Sequence, residues 1–331
     1  MSSPASALTL ACIQQHVPAT TMRAIRQTRL GGPEVLELVE VPRPEPAPTE
    51  VLVRVNAAGV NPVDWKVRAA GGLLGPPPFT VGWDVAGVVE ALGRGVTRFA
   101  PGDRVFGMPR FPREAAAYAE YVTSPSRQLA PIPQSLSDVE AAALPLAGLT
   151  AWQALVETAD VGTGSRVLVL GAAGGVGHLA VQVAKAQGAY VLGTARKPKH
   201  PFLAALGADE AIDYTTGPLA GRLGDVDVVV DLVGPEAARD ALPTLRDGGL
   251  LVTVASGSGL EPLRDAAAGR VRIAALLVEP DRAGLESLAA LVSDGRVRPH
   301  VAETFALADA ARAHELGEKG RTQGKIVLTV A

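Results

Sequence analysis

Hydrophobic and polar positions divide the chain into two regions with different periods. From residue 22 to about residue 122, short alternating segments punctuated by glycine and proline predict an all-β unit. From residue 166 onward, β-rich segments alternate with amphipathic helical segments, which predicts a doubly wound parallel sheet. The near-continuous apolar run at 225–232 is expected of a strand buried on both faces. The tail beyond residue 280 is too short for a third domain and should rejoin the first region.

These patterns place the following elements. The first region has predicted strands at 24–29, 36–41, 50–58, 84–92, 104–107 and 117–122. The second has strands at 166–170, 189–194, 211–214, 226–232, 249–254 and 271–278, with helices at 175–187, 200–206, 236–245 and 262–268. The tail has a helix at 282–293, a strand at 303–306, a helix at 308–318 and a strand at 325–330. We therefore predict one domain from 22–145 and 280–331, an inserted domain at 146–279, and a flexible extension at 1–21.

A glycine-dense turn joins the first strand of the inserted domain to its first helix. Gly174, Gly175, Val176 and Gly177 stand between the two elements. Glycines there let the backbone approach a pyrophosphate, whose charge is then stabilised by the helix N-terminus. The turn predicts a dinucleotide site.

Cations rather than an acid follow the second strand of that domain. NAD sites usually offer Asp or Glu there to the ribose 2′-hydroxyl, whereas this loop carries Thr194, Arg196 and Lys199. Such groups would pair with a 2′-phosphate through charge-assisted hydrogen bonds. The loop therefore favours NADPH, with a solvated basic loop as the alternative.

Composition excludes several classes of protein. The 331 residues carry a net charge of −3, which argues against a general nucleic-acid or membrane-surface binder. No apolar run reaches the ~18 residues of a membrane span. The single cysteine, Cys12, excludes a disulfide framework and a cysteine metal cluster. No basic n-region of a secretory signal precedes Arg23, so we expect a cytoplasmic protein.

Ordered motifs along nearly the whole chain resemble those of one superfamily. They are 32–36 (GPEVL), 57–64 (AAGVNPVD), 82–89 (GWDVAGVV), 101–105 (PGDRV), 146–151 (LAGLTA), 171–177 (GAAGGVG), 206–209 (LGAD), 212–214 (IDY) and 324–328 (GKIVL). Together they resemble the zinc-independent, quinone oxidoreductase (zeta-crystallin-like) branch of the medium-chain dehydrogenase/reductase superfamily. The resemblance implies an α/β protein, with a GroES-like, mostly-β catalytic domain and an inserted Rossmann domain. The active site would lie in the cleft between them.

The resemblance also addresses the metal. Zinc alcohol dehydrogenases of this superfamily place a cysteine where this chain has Asn61 and a histidine where it has Trp83. Neither replacement is a zinc ligand of the nitrogen or sulfur kind, so we expect no catalytic zinc. Without a Lewis acid, hydride donation to a quinone or an activated enone is favoured over alcohol oxidation.

Several cofactor contacts follow from the resemblance or from the strand ends. Thr150 is expected near the cofactor, or else as a helix-capping hydroxyl. Tyr214 is expected at the 2′-phosphate, with a buried structural phenol as the alternative. Arg321 would reach the cofactor across the cleft, or remain an ordinary surface arginine. Val233 and Ser256 follow strands whose carboxyl ends gather ligands.

The expected catalytic residues lie in and after the loop that starts at Asn61. Asn61 would hold the cofactor or orient the substrate carbonyl, and either Lys66 or water would protonate the product. Asp64 is expected to fix the loop by hydrogen bonds. Asp84 is expected to pair with a nearby cation such as Arg68.

The leading prediction is therefore an NADPH-dependent reductase of small-molecule quinones or enones. Two alternatives stay open, namely an enoyl-thioester or enone reductase of secondary metabolism, and a crystallin-like protein that binds nucleotide without turnover. Family habit also implies a homodimer that pairs the strand near 271–278, because an exposed edge strand needs cover.

Overall fold

The computed structural model of the protein describes residues 21–254 and 260–330, and it begins with a mostly-β region. Its elements are β1 (Thr21–Arg26), β2 (Glu37–Pro42), β3 (Glu50–Val60), α1 (Pro62–Ala70), β4 (Asp84–Leu92), β5 (Arg104–Gly107), β6 (Tyr121–Pro125), β7 (Leu129–Pro131), α2 (Asp138–Ala142) and α3 (Pro145–Trp152). The strands β4 and β5 have the predicted bounds. In contrast, α1 and β7 have no counterpart in the prediction. Of the predicted extension, Thr21 is the first residue of β1, and residues 1–20 lie outside the described ranges.

The inserted region is a parallel sheet covered on both faces. Its elements are β8 (Arg166–Leu170), α4 (Gly177–Ala186), β9 (Tyr190–Thr194), α5 (His200–Ala205), β10 (Glu210–Ile212), β11 (Val226–Asp231), α6 (Pro235–Ala241), β12 (Leu245–Thr253), α7 (Leu260–Ala267) and β13 (Arg272–Ala275). The six strands run in the order β10-β9-β8-β11-β12-β13. In β8, Val167 and Val169 join the apolar cluster shared with the first domain, whereas Leu168 and Leu170 join a second cluster. Burial on both faces explains why such strands are apolar throughout.

The boundary between α6 and β12 differs from the prediction. The helix ends at Ala241 instead of 245, and β12 already begins at Leu245. Pro243 lies between them, and proline lacks the backbone N–H that a continuing helix would need.

The end of the chain returns to the first domain. It contains α8 (Arg282–Ser293), β14 (Val301–Ala306), α9 (Ala310–Glu318) and β15 (Lys325–Thr329). The strand β15 pairs antiparallel with β3, in a sheet of order β14-β15-β3-β4-β5-β7. This sheet thus combines strands from before and after the inserted region, while β1 pairs with β2 in a separate two-stranded sheet. Across residues 21–254 and 260–330, no helix combines the length and the apolar character that crossing a membrane requires.

Hydrogen bonds connect α4 of the inserted domain to the returning tail. The Gln182 side chain bonds both backbone groups of Arg298, donating to its O at 3.0 Å and accepting from its N at 2.8 Å. At the other end of α4, Gly324 N donates to Ala173 O at 3.0 Å. The nucleotide turn is therefore held directly by the segment that leads into β15.

Gln182→Leu should lower the free energy of unfolding by about 1–3 kcal/mol, because it leaves two backbone groups of Arg298 without their partner. Urea unfolding would measure the change. Gln187→Leu, at the end of the same helix and partly exposed, is the control. Equal stability of both variants and the parent would contradict the proposed contribution of this contact.

Candidate active site

The glycine turn lies at the carboxyl end of β8, where α4 begins. Gly171 has a φ of +70°, and a methyl group on Gly177 would collide with the carbonyl oxygen of Gly171. Glycine at 177 therefore lets the helix begin directly against the end of the strand. The first amides of a helix have no intrahelical acceptor, and Gly174, Gly175 and Val176 lie at this helix end. Free amides at such a helix end could hold a pyrophosphate, and this site stays a prediction.

The side-chain hydroxyls of Thr194 and Thr150, which were predicted to contact the cofactor, form hydrogen bonds within the protein. Thr194 is 3% exposed, and its Oγ1 accepts a hydrogen bond from Gly171 N at 3.0 Å. Thr150, also buried, donates to Leu146 O at 2.7 Å, four residues earlier in α3. Thr194 thus holds the turn, which differs from the expected contact with a 2′-phosphate. The Thr150 bond to a helix carbonyl differs from both roles expected of it.

The basic loop brings four predicted residues together. Arg196 Nε donates to the hydroxyl of Tyr214 at 3.1 Å, and Lys199 Nζ donates to Arg321 O at 2.9 Å. Tyr214 is 48% exposed, so the buried-phenol alternative is wrong. Partial burial lowers the pKa of Lys199, and the charge of Arg196 lowers it further. Positive charge is therefore concentrated where the sequence predicts the 2′-phosphate.

One acid also lies beside these cations and was missed by the sequence reasoning. Asp213 accepts from Lys197 N at 3.2 Å, and from Thr215 N and Oγ1 at 2.9 and 2.7 Å. These hydrogen bonds, led by that of the Thr215 side chain, lower the pKa of Asp213. The sequence feature that could have indicated Asp213 is its position directly after β10, within the motif at 212–214.

The carboxyl end of β11 is organised by a buried acid. Asp231 Oδ1 accepts from the N–H groups of Val233 and Gly234 at 3.0 and 2.9 Å, and its Oδ2 accepts from Thr253 Oγ1 at 2.8 Å. The Val233 N–H is therefore used within the loop, and its 61%-exposed side chain faces outward. Ser256 lies outside the described residues.

A buried polar cluster occupies the end of β3. Asn61 Nδ2 donates to Asp84 Oδ2 at 2.8 Å, and Asp84 Oδ1 accepts from Leu146 N at 2.7 Å. Lys325 Nζ donates to Val60 O at 3.0 Å, to Asn61 Oδ1, and to Asp84 Oδ2 at 3.4 Å. Burial raises the pKa of Asp84, while the charge of Lys325 and the hydrogen bond from Asn61 oppose that rise. The cluster combines an amide with a compensated pair of charges.

The expected pairing of Asp84 with Arg68 is wrong. Arg68 Nη2 instead bonds Glu318 at 2.6 Å, and Lys325 is the cation at Asp84. Sequence reasoning missed Lys325, which was quoted only within the Gly-Lys motif of the last strand. No local pattern indicates that it meets a residue 241 positions earlier.

Lys66 lies apart from this cluster. It is exposed on α1, whereas Asp64 and Arg68 form the buried side of that helix. Residues two apart do not share a helix face. Within the described residues, the lysine that contacts Asn61 is Lys325.

A directed chain of hydrogen bonds holds the loop that begins at Asn61. Arg68 Nη1 lies 3.1 Å from His314 Nδ1, and His314 Nε2 lies 3.2 Å from the Tyr118 hydroxyl. Because arginine only donates, His314 accepts at Nδ1 and donates from Nε2. Tyr118 then donates to Asp64 Oδ2 at 2.9 Å, which also accepts from Asn61 N at 2.7 Å. Asp64 thus fixes the loop, as the sequence reasoning expects.

Burial displaces the pKa values of three groups in this hydrogen-bond chain, namely His314, Tyr118 and Asp64. Burial, with a smaller effect of the Arg68 charge, lowers the pKa of His314 to about 3, which keeps the imidazole neutral. Burial raises the pKa of Asp64 to about 7, although its hydrogen bonds from Asn61 and Tyr118 act in the other direction.

The residues at the expected zinc positions do not fit a zinc ion. Trp83 is fully buried, donates from Nε1 to Arg113 O at 2.7 Å and packs edge-on against Phe111. Asn61 accepts from Lys325, whose positive charge would oppose a metal cation. In the part of the chain that the structure describes, no three His, Cys, Asp or Glu residues form a group that could hold a metal ion.

Comparison with known proteins identifies the family. Residues 47–134 match the family described as alcohol dehydrogenase GroES-like domain, and residues 206–328 match zinc-binding dehydrogenase. Quinone oxidoreductase of Rattus norvegicus is 35% identical over 324 residues, covering 93% of this chain and 97% of the relative. The chain belongs to the medium-chain dehydrogenase/reductase superfamily, in its quinone oxidoreductase branch.

Solved structures of this superfamily share the fold. The quinone oxidoreductase of Coxiella burnetii has a TM-score of 0.89 at 37% identity, covering 94% of this chain and all of its own. A mycobacterial protein solved with NADPH has a TM-score of 0.83 at 33% identity, covering 93% and 100%. The superfamily fold, a GroES-like domain with an inserted Rossmann domain, is confirmed. This member is therefore an oxidoreductase of that superfamily.

Asp64 should make stability depend on pH. Its pKa is about 7 in the folded protein, against an ordinary value of 3.8 for an aspartate in water, so the folded state binds this proton more tightly. Its contribution to the free energy of unfolding therefore falls as pH rises from about 4 to about 7, by at most about 1.4 kcal/mol per pH unit. Asp64→Asn, which keeps one acceptor oxygen, should therefore become progressively more stable relative to the parent as pH rises from about 4 to about 7. Urea unfolding at several pH values would show this; a constant difference would contradict it.

Proposed function

We propose that the protein is an NADPH-dependent reductase that transfers hydride to a quinone or an activated enone without a metal. The observation that carries the proposal is the contact between the nucleotide turn and the Asn61 cluster. A methyl group on Gly175 would lie 3.3 Å from Lys325 Cδ, and Lys325 Nζ bonds Asn61. A dinucleotide held by the turn would therefore extend toward a buried amide backed by a positive charge.

Particular residues would bind each part of the cofactor. The amides of Gly175, Val176 and Gly177 suit the pyrophosphate, whereas the Gly174 amide already donates to Gly171 O at 3.0 Å. The cations Arg196 and Lys199, with Tyr214 and Arg321 beside them, suit the 2′-phosphate. Val233 would border the bound nucleotide from the end of β11, and the contact of Ser256 stays a prediction from the sequence.

The chemistry at Asn61 follows from the cluster. NADPH, when bound, supplies the hydride. Asn61 would orient the substrate carbonyl through its amide, and hydrogen-bond donors of this kind stabilise the negative charge that develops on oxygen. Either water or Lys66, which is exposed on α1, would supply the proton. Quinones and enones suit such a site because they delocalise the incoming charge onto an oxygen.

Arg196→Gln should raise the KM for NADPH about 10- to 100-fold, because a charge-assisted hydrogen bond to the 2′-phosphate is lost. The KM for NADH, which has no 2′-phosphate, should stay nearly unchanged. Initial rates of NADPH and NADH oxidation with a quinone would measure both. Lys197→Gln removes one positive charge from the same loop and is the matched control. An equal effect of Arg196→Gln on both cofactors would contradict the assignment of the 2′-phosphate site.

The same assay should cover quinones, cyclic enones and enoyl thioesters, with and without a chelator. We expect turnover with quinones or enones and no effect of the chelator. Preference for thioesters would favour a pathway-specific enone reductase. Calorimetric NADPH binding without turnover would favour a crystallin-like role, and inhibition by the chelator would overturn metal-free chemistry.

We also propose that the protein is a homodimer. β13 is an edge strand of the six-stranded sheet, and Leu277, just beyond it, is 57% exposed. A free edge and an apolar side chain together favour pairing with a second copy. Leu277→Glu should weaken the dimer in sedimentation equilibrium, whereas Leu38→Glu, at an exposed leucine on β2, should not. A monomeric parent protein would refute the proposal.

A further inference from the structure

Lys325 lies between the nucleotide turn and Asn61, and it is almost completely buried. Its Cδ lies against Gly175, while Nζ donates to Val60 O, Asn61 Oδ1 and Asp84 Oδ2. An ammonium group has three N–H donors. All three are used within the protein, so Lys325 can act on a substrate only through another residue.

The contacts of Lys325 and Asp84 fix the orientation of the Asn61 amide. An ammonium group only donates and a carboxylate only accepts, so Oδ1 must face Lys325 and Nδ2 must face Asp84. In the flipped orientation, Nδ2 would face the ammonium of Lys325, a donor against a donor. Oδ1 would then face the carboxylate of Asp84, an acceptor against an acceptor. Nδ2 carries two hydrogens, and one of them goes to Asp84. For the other, the described residues provide no hydrogen-bond acceptor.

The positive charge also changes the strength of that remaining donor. Hydrogen bonds in a chain polarise one another, more so in a buried site than in water. An ammonium bonded to Oδ1 withdraws electron density from the amide. The free N–H of Asn61 consequently becomes a better donor to an oxygen that gains negative charge.

We infer that Lys325 is a positioning residue that orients and polarises the Asn61 amide, so that its free N–H can stabilise the oxygen of the reduced substrate. This inference rests on the proposed function. In it Asn61 is the residue that touches substrate, and Lys325 acts from behind it through Oδ1. Asp84 completes the arrangement by accepting the other N–H and by balancing the charge of Lys325.

A purely structural ion pair would behave differently. Buried pairs contribute little net stability compared with apolar replacements, and breaking one is costly only because a charge is left unpaired. If the ion pair were purely structural, its removal would lower the free energy of unfolding. Any loss of rate would then be the same for every electron acceptor. A positioning role predicts a loss of rate that depends on how much negative charge the acceptor oxygen develops.

The test compares Lys325→Met with the control Lys319→Met, which removes an exposed lysine near the chain end. We expect Lys325→Met to lower kcat/KM for an enone about 100-fold, near the lower range for a lost oxyanion donor, and to leave the Kd for NADPH within about threefold. The loss should shrink for quinones that accept electrons more readily. An equal loss for all acceptors, or none, would overturn the inference.

A double-variant cycle shows whether Lys325 acts through Asn61. If it does, Asn61→Ala combined with Lys325→Met should be no slower than Asn61→Ala alone. Additive losses would contradict the inference. Lys325→Gln, which keeps donors but not the charge, replaces Lys325→Met if that variant does not fold. Failure of both to fold would make Lys325 structural and overturn the assignment.

Binding of 4-nitrophenolate to the protein saturated with NADP⁺ gives a readout without turnover. Its oxyanion imitates the charge on the product oxygen. We expect Lys325→Met to weaken this binding about 10-fold, as for a lost hydrogen bond to a charged group, and Lys319→Met to leave it unchanged. Equal binding to the parent and Lys325→Met counts against the inference. A parent protein without NADPH-dependent turnover would instead refute the proposed function.

Discussion

A buried lysine and a buried aspartate share one asparagine amide where the two domains meet, and the geometry of the site depends on that contact. Lys325 is the first residue of β15 near the end of the chain, whereas Asn61 directly follows β3 and Asp84 is the first residue of β4. The three residues can meet only after β15 has paired with β3. Because a buried ammonium group needs compensation, the sheet and the polar cluster should form together. Completing the domain from both chain ends therefore completes the site.

The nucleotide turn depends on the same segment. Gly324 donates to Ala173 in the turn, and the next residue, Lys325, supplies the ammonium group. A side chain on Gly324 would collide with the backbone of His300, so the close approach requires glycine. Two adjacent residues thus connect the glycine turn of one domain to the polar cluster of the other.

Sequence reasoning predicted those features that depend on local pattern. The turn at 171–177 and the strands β4 and β8 follow from periodicity and glycine spacing. Partners distant in sequence could not be read in this way. Lys325 is the partner of Asp84, whereas the sequence reasoning expected Arg68. The pairing of β15 with β3 brings Lys325 to Asp84, and no short stretch of sequence indicates that pairing. The hydroxyls of Thr150 and Thr194 found backbone partners that only the folded chain reveals.

The hydrogen-bond chain behind Asn61 has a consequence for proton traffic. It begins near the surface at Glu318 and passes through Arg68, His314 and Tyr118 to Asp64. Arginine does not release its proton in proteins, so it blocks any transfer along this wire from bulk water. A proton exchanged at Asp64 must therefore take a route other than this wire.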